Sequence, residues 1–191
     1  MNLRIWYLFN FWKFKHLGRK SFVKKALIIT PSCISVGNNV YIQPNSRIEG
    51  VFSYEGVSFL PEISIDDCCT IQQNLHLTCG RKIYIGKNTA IAANVTITDI
   101  NHPYENIDLP VERQPLTTNP VYIGDDCKIY NNVVILPGTY IGKHCVIGAN
   151  SVVSGDFSDF AVIVGAPAKI IKRYCLETNQ WKRTDQTGKF L

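Results

Sequence analysis

The sequence contains no apolar run that approaches the roughly 20 residues with which a helix spans a membrane. Its first 48 residues contain no Asp or Glu, although they hold eight Lys or Arg. In the rest of the chain the remaining 12 basic residues are outnumbered by all 15 acidic residues. The net charge of +5 is therefore a property of the N-terminal segment. The folded body lacks the basic stripe that nucleic-acid binding requires, so we expect no nucleic-acid partner.

The sequence also lacks any C-x-x-C pair, and its seven cysteines are an odd number. Both features are atypical of a disulfide framework or a cysteine zinc site, and they favour a reducing, cytoplasmic setting. Cys69, Cys127 and Cys145 share one place in the repeat described next. We interpret them as small buried packing residues.

A six-residue repeat runs from Val121 to Val153. Aliphatic residues begin its successive hexads, at Ile123, Ile129, Ile135, Ile141, Ile147 and Val153. The fifth place is always small or β-branched, and the second is often Gly. This period fits neither a 3.6-residue helix nor an alternating strand. It predicts stacked coils, with the aliphatic residues pointing inward and Gly or Asn easing each turn.

Fainter copies of the repeat begin at Val36 and resume at Ile65 and Ile85, so the chain is predicted to be all-β. Residues 50–61 interrupt the repeat as an insertion, and residues 99–120, with four prolines, as an extruded loop. After Val153 the pattern fades, and we expect residues 168–175 to start a short helix that caps the last coil. These features predict three regions: an aromatic and basic N-terminal segment with helical character (1–30), the repeat domain (31–174) and a polar tail (175–191).

Residues 1–25 combine aromatic and basic side chains, and two interpretations of them stay open. The segment packs against the body or a neighbouring subunit, or it lies peripherally on an anionic membrane surface. We do not expect a signal peptide, because Lys13 and Lys15 break the apolar stretch and no small-residue cleavage site follows.

The hexads, the loop sequence Asn101-His102-Pro103 and the ending Val164-Gly-Ala-Pro-Ala-Lys together resemble the hexapeptide-repeat acyltransferases. The maltose/galactoside and polysaccharide O-acetyltransferases look most similar, over residues 34–174. The resemblance implies a left-handed parallel β-helix and a homotrimer with active sites between adjacent subunits. It also implies acetyl-CoA as the donor, a carbohydrate acceptor and no metal in the chemistry.

Acetyl transfer from a thioester to a hydroxyl needs a base with a pKa near neutrality, and histidine suits this task. Of the four histidines only His102 lies in the interrupting loop, where the family carries its catalytic base. Four groups remain candidates for orienting the second nitrogen of His102: Asp99, Glu112, Gln114 or a backbone carbonyl.

The resemblance also implies binding residues for both substrates. Gln72 stands where the sugar acetyltransferases carry an Asn, and the predicted acceptor-site residues are Gln72, Asn74 and Asp99. The CoA arm in this family lies along an edge between coils, where small residues matter most. The predicted donor-site residues are Asn131, Ala149, Ser154 and Gly155, with Lys169, Lys172 and Arg173 placed for the nucleotide phosphates.

These expectations favour an O-acetyltransferase acting on a sugar or surface-polysaccharide unit, with His102 as general base. N-acetyl transfer to an amino sugar, free or nucleotide-linked, is the main alternative, because an amine acceptor needs the same base. A zinc enzyme of the carbonic-anhydrase type would need converging histidines, and no His-x4-His pair occurs. A non-enzymatic β-helix scaffold would need neither the His-Pro loop nor the Gly-Ala-Pro-Ala-Lys ending.

Overall fold

In the computed structural model, residues 11–191 are described and form a left-handed parallel β-helix, which confirms the predicted fold class. Short strands follow one another around a triangular coil, and successive coils stack into three parallel faces, A, B and C. Face A contains His16–Leu17, Ile34–Val36, Glu62–Ile65, Lys82–Ile85, Val121–Ile123, Tyr140–Ile141 and Asp156–Phe157. Face C contains Ile28–Ile29, Arg47–Gly50, His76–Cys79, Thr96–Thr98, Val134–Ile135 and Val152–Val153.

Face B continues beyond the parallel coils into an antiparallel hairpin. Its parallel strands are Phe22–Val23, Tyr41–Ile42, Thr70–Ile71, Ala90–Ile91, Lys128–Ile129, Val146–Ile147 and Ala161–Gly165, and its antiparallel strands are Ala168–Cys175 and Gln180–Arg183. Two small antiparallel ribbons pair Ser53–Tyr54 with Val57–Ser58 and Ile100–Asn101 with Thr117–Thr118. Single 3₁₀ turns occur at Phe11–Lys13, Pro31–Cys33 and Val111–Arg113. No helix within residues 11–191 is long and apolar enough to cross a membrane.

The core is a column of inward-pointing aliphatic side chains, as the hexads predict. On face A, Ile85 pairs with Ile123 and Ile123 with Ile141, and all three are fully buried. Burying one such side chain contributes about 1.5–3 kcal/mol. The fifth-place cysteines Cys69 and Cys127 are also buried, and burial raises the pKa of the Cys69 thiol to about 11.

The fourth and the second places of the hexad have separate roles in the backbone. The fourth place adopts a left-handed conformation, as at Asn94 (φ 61°) and Asn132 (φ 60°), where Asn is well tolerated. The second place meets the next coil: a Cβ on Gly124 would lie 2.7 Å from the backbone carbon of Gly142. Glycine at this place therefore allows close stacking rather than a special turn angle.

The first coil begins earlier than residue 31. Leu17, Val23 and Ile29 occupy inward places six residues apart, and their strands pair with those of the second coil. Of the predicted N-terminal helical character, the described residues show the 3₁₀ turn Phe11–Lys13, and residues 1–10 lie outside the described part.

The predicted C-terminal helix is wrong. Ala168–Cys175 is a strand that pairs antiparallel with Ala161–Gly165, because the chain reverses at Ala166-Pro167 and the last coil has unpaired backbone groups to satisfy. The segment still caps the β-helix, but as a hairpin. Residues 180–183 of the predicted polar tail form the second strand of that hairpin.

Two edges of the triangular prism flank face C. At the B–C edge the chain turns from face B to face C, over residues 24–27, 43–46, 72–75, 92–95, 130–133 and 148–151. At the C–A edge it turns from face C to face A, over residues 30–33, 51–61, 80–81, 99–120, 136–139 and 154–155. Both interruptions of the repeat therefore leave the prism at the C–A edge.

Candidate active site

The loop 99–120 follows the face C strand Thr96–Thr98 and is closed at its base. The backbone N–H of Asn119 donates to the carbonyl of Asp99 at 2.8 Å, and the strands Ile100–Asn101 and Thr117–Thr118 pair beside it. This ribbon holds His102 at the point where the loop leaves the prism.

His102 is half-buried, and its two ring nitrogens differ. Nδ1 is buried and has no hydrogen-bond partner among residues 11–191. Because the neutral imidazole has one donor and one acceptor nitrogen, the ring can accept a proton at Nε2 when Nδ1 carries the hydrogen. Because Nδ1 is buried, a role of His102 as a base would use Nε2.

The hairpin Ser53–Tyr54/Val57–Ser58 packs its tyrosine against this histidine. The rings of Tyr54 and His102 have centroids 5.5 Å apart and planes at 88°. The Tyr54 hydroxyl donates to the backbone carbonyl of Glu112 at 2.6 Å and to its carboxylate at 2.9 Å. The hydrogen bond to Glu112 raises the pKa of Tyr54.

Two of the candidate orienting groups for His102 are engaged elsewhere. Gln114 is buried, and its side-chain amide donates to the carbonyls of Asn106 (2.9 Å) and Leu109 (3.3 Å), which fixes the path of the loop. Asp99 points into the body of the β-helix. Glu112 contacts Tyr54, which in turn contacts His102, and no group within residues 11–191 forms a hydrogen bond with Nδ1 of His102.

The predicted role of Asp99 in acceptor binding is wrong. Asp99 is fully buried, and its carboxylate accepts backbone hydrogen bonds from Gly80 (2.6 Å), Arg81 (2.8 Å) and Lys82 (2.6 Å). It satisfies the turn of the preceding coil, whose N–H groups have no strand partner there. The residue that begins the loop is thus a structural anchor.

Four of the predicted binding residues lie on the B–C edge, where Gln72, Asn74, Asn131 and Ala149 are all exposed. The amide of Asn74 donates to Asn94 at 2.9 Å and starts a ladder that continues through two further asparagines, Asn132 and Asn150. This ladder joins successive coils, so Asn74 has a stacking role, and its assignment to acceptor binding stays a prediction.

The remaining predicted donor-site residues lie on the C–A edge and on the C-terminal hairpin. Ser154 and Gly155 are exposed on the C–A edge, above the loop that carries His102. Lys172 lies opposite Arg183 in the hairpin, and both are exposed, as is Lys169. Arg173 instead folds inward, where its guanidinium donates to the carbonyl of Gly188 and covers the ring of Phe190.

One chain therefore does not bring all predicted residues together. His102 and Ser154 stand on the C–A edge, whereas Gln72, Asn131 and Ala149 stand on the B–C edge, with face C between them. Within residues 11–191 no three His, Cys, Asp or Glu side chains form a group that would hold a metal ion.

Comparison with known proteins agrees with the repeat pattern. Residues 120–155 match the family described as bacterial transferase hexapeptide (six repeats). The galactoside O-acetyltransferase of Escherichia coli is 30% identical over 161 residues, which cover 84% of this chain and 74% of that protein. The chain belongs to the hexapeptide-repeat acetyltransferase family.

One further relative and one solved structure are informative. WbbJ of Escherichia coli, named as a lipopolysaccharide biosynthesis O-acetyl transferase, is 38% identical over 128 residues. That match covers 63% of this chain and 65% of WbbJ, so the chain spans less than two thirds of the relative. A solved structure of AntD, an N-acyltransferase from Bacillus cereus, shares the fold with a TM-score of 0.70 at 21% identity, over 87% of each chain.

Sequence patterns missed one residue at the candidate site of this family member, Tyr54. The hairpin itself has a sequence signal, since Glu55-Gly56 supplies the two left-handed residues of a tight turn (φ 45° and 77°). The contact between Tyr54 and His102 has no sequence signal, because it arises only when both interruptions of the repeat leave the prism at the same edge.

Proposed function

We propose that the protein is an acetyl-CoA-dependent O-acetyltransferase that acts on a hydroxyl of a sugar or surface-polysaccharide unit. The observation that carries the proposal is His102, which has a buried Nδ1 on a loop fixed at the C–A edge of this family's fold. The names of the O-acetyltransferase relatives support the choice of acceptor.

The chemistry follows from the imidazole. Nε2 of His102 takes the proton from the acceptor hydroxyl while the oxygen attacks the carbonyl carbon of the thioester. The tetrahedral intermediate collapses, the carbon–sulfur bond breaks, and the CoA thiolate leaves. The imidazolium then returns its proton to the thiolate, so His102 is neutral again. Holding both substrates side by side supplies much of the remaining acceleration.

The donor is proposed to lie along the upper coils. Ala149 and Gly155 present small surfaces against which an extended CoA arm fits, on the B–C and C–A edges respectively. Lys169, Lys172 and Arg183 are exposed cations on the C-terminal hairpin, placed for the nucleotide phosphates.

The complete site is proposed to form between copies of the chain in a homotrimer, with the C–A edge of one copy against the B–C edge of the next. This arrangement joins His102 with Gln72, Asn131 and Ala149, which one chain keeps apart. The loop supports it, because Ile107 is 93% exposed and Tyr104 is 69% exposed. Apolar side chains this exposed are typical of surfaces that a partner covers.

The direct test is release of CoA thiol from acetyl-CoA against a panel of sugars, nucleotide sugars and glycans. His102→Ala should lower kcat by about 10²–10⁴-fold, the usual contribution of a general base. His144→Asn is the matched control, since it removes an exposed histidine at a left-handed turn (φ 54°) that Asn also accepts. An unchanged rate in His102→Ala would overturn the base assignment.

A second candidate is N-acyl transfer to an amino sugar. It is favoured by the fold shared with AntD, whose structure holds a dTDP-linked amino sugar and coenzyme A. The acceptor panel separates the candidates: a nucleotide-linked amino sugar that releases CoA faster than every hydroxyl acceptor would establish the amine reaction.

Peripheral membrane contact is a further proposal, for the first coil. Trp12 is 69% exposed and Leu27 is 71% exposed, and Arg19, Lys20 and Lys25 are exposed in the same region. This combination suits an anionic headgroup layer. Sedimentation with anionic and with neutral vesicles tests it, and binding that Trp12→Ala and Leu27→Ala do not weaken would contradict it.

A further inference from the structure

We propose that Tyr54 is a positioning residue for His102, held in place by the backbone pairing of the hairpin Ser53–Tyr54/Val57–Ser58. The inference rests on the proposed function, in which His102 is the general base. The ring of Tyr54 contacts the imidazole and its hydroxyl is engaged by Glu112, so the proposed role acts through the histidine.

The first argument concerns what fixes the imidazole plane. Nδ1 of His102 has no hydrogen-bond partner among residues 11–191, so no hydrogen bond to that nitrogen sets the ring rotation. A histidine that serves as a base must still present Nε2 in one direction. The perpendicular ring of Tyr54, with centroids 5.5 Å apart, is the aromatic contact that restrains it. Perpendicular ring pairs at this distance are favourable arrangements.

The second argument concerns what fixes Tyr54. Its single O–H hydrogen is shared between two oxygens of Glu112, the backbone carbonyl at 2.6 Å and the carboxylate at 2.9 Å. Glu112 lies in the 3₁₀ turn Val111–Arg113, near the far end of the loop that begins at Asp99. One side chain therefore joins the outgoing part of the loop, at His102, to the returning part.

The third argument concerns the rigidity of the hairpin. Tyr54 pairs with Val57, and the intervening Glu55 and Gly56 adopt the left-handed conformations of a tight two-residue turn. The backbone N–H of Phe59 donates to Phe52 at 2.8 Å, which extends the pairing by a further hydrogen bond. The tyrosine is thus presented from a built platform rather than from a free loop.

Three variants separate the ring contact from the hydrogen bonds. Tyr54→Ala removes both and should lower kcat by about 10²-fold, since a small misplacement of a catalytic group has this effect. The KM for acetyl-CoA should stay within about twofold, because the donor-site residues are untouched. Tyr54→Phe keeps the ring against His102 and should recover most of kcat. Val57→Ala, on the same hairpin and 38% exposed, is the control and should match the wild type.

The independent readout is the nitrogen NMR spectrum of the His102 imidazole in the full chain, with Tyr54→Leu as a second variant should Tyr54→Ala not fold. Tyr54→Ala should shift and broaden the His102 signals, while Val57→Ala should not. Unchanged His102 signals, or an unchanged kcat, in a folded Tyr54→Ala protein would overturn the positioning role. If instead His102→Ala retains activity while Tyr54→Ala shifts the His102 signals, the proposed base fails and the contact stands as structural.

Discussion

The carboxylate of Asp99 accepts a hydrogen bond of 2.6 Å from the backbone N–H of Gly80, in the turn of the preceding coil. Both residues are buried, and the second carboxylate oxygen takes the next two N–H groups of that turn. The same residue, through its carbonyl, closes the base of the loop that carries His102. The stacking of the coils and the placement of the proposed base are thus secured by one side chain and its backbone.

Asp99→Ala should therefore be strongly destabilising. It leaves three backbone N–H groups without an acceptor, and we expect a loss of at least about 3 kcal/mol, because each unsatisfied buried donor costs about 1–3 kcal/mol. Asp99→Asn should also destabilise, since the amide nitrogen cannot accept a hydrogen bond. Urea unfolding measures both. Asp108→Ala, which removes an exposed carboxylate of the same loop, should stay within about 0.5 kcal/mol of the wild type.

The asparagine ladder on the B–C edge gives a second stability prediction. Asn132→Ala places a residue with a Cβ in the left-handed region (φ 60°) and removes the amide that links Asn94 to Asn150. We expect a loss of about 1–2 kcal/mol, mainly from the backbone conformation. Asn132→Gly removes the same amide but accepts the backbone angle, so its loss in urea unfolding should be smaller. Equal losses would show that the ladder, not the turn, dominates.

The sequence was sufficient to predict the fold because the hexad repeat encodes the inward column directly. The first coil is not predicted from the repeat. Leu17, Val23 and Ile29 keep the six-residue period, but the basic residues between them obscure it. The prediction of a C-terminal helix over residues 168–175 is wrong, although Ile170, Ile171 and Tyr174 are residue types that favour strands. The state of this segment is decided by the open edge of the last coil, which the segment itself does not record.

The site was predicted less completely, for a physical reason. His102 is marked by its position in a break of the repeat, which is a property of the sequence. Asp99 is a polar residue at that break, and Asn74 is a polar residue near the predicted site residue Gln72. The sequence does not show that both side chains form hydrogen bonds between coils, which the structure reveals. Tyr54 lies 48 positions before His102, and its contact arises because both interruptions leave the same edge of the prism.

The stacked tyrosines on face A provide a pH-dependent prediction. Burial, and then the charge and hydrogen bond of Asp66, raise the pKa of Tyr84 to about 12. Its ring stacks on Tyr122 with centroids 4.9 Å apart. The pKa of Tyr84 in the folded protein exceeds its unfolded value of about 10, so the protonated phenol contributes to the free energy of unfolding. This contribution is fully present below pH 10 and is lost as the pH rises through the folded pKa.

Absorbance titration of the phenolate band tests this prediction. The folded wild type should show a late ionisation near the raised pKa of Tyr84, and Tyr84→Phe should lose it. The free energy of unfolding of Tyr84→Phe should also decrease less steeply with rising pH in the alkaline range than that of the wild type. Tyr104→Phe, which removes an exposed phenol, should leave the late step in place. Tyr54 and Tyr122 also have raised pKa values, so a late step of undiminished amplitude in Tyr84→Phe is the result that would contradict the assignment.

Mixed oligomers test whether His102 of one copy works with the B–C edge of another. His102→Ala lacks the base, and Ala149→Trp fills the proposed path of the CoA arm, so each variant alone should be inactive. In a trimer with cyclic symmetry, each junction between two copies pairs His102 of one chain with Ala149 of the next. A junction is functional when neither of these two residues is substituted. Random mixing at equal amounts should then restore about a quarter of the wild-type activity per chain, because about one junction in four is intact.

The control mixes His102→Ala with the double variant His102→Ala/Ala149→Trp, which contains no intact base in any combination and should stay inactive. Unfolding and refolding the two chains together, rather than mixing folded oligomers, ensures that mixed oligomers form. Restored activity requires that the two residues act across a junction, since neither chain contains both in intact form. A mixture no more active than its separate components would place His102 and Ala149 in the same chain's site, or would remove Ala149 from the donor path altogether. Size-exclusion chromatography of the mixture distinguishes that result from a failure to assemble.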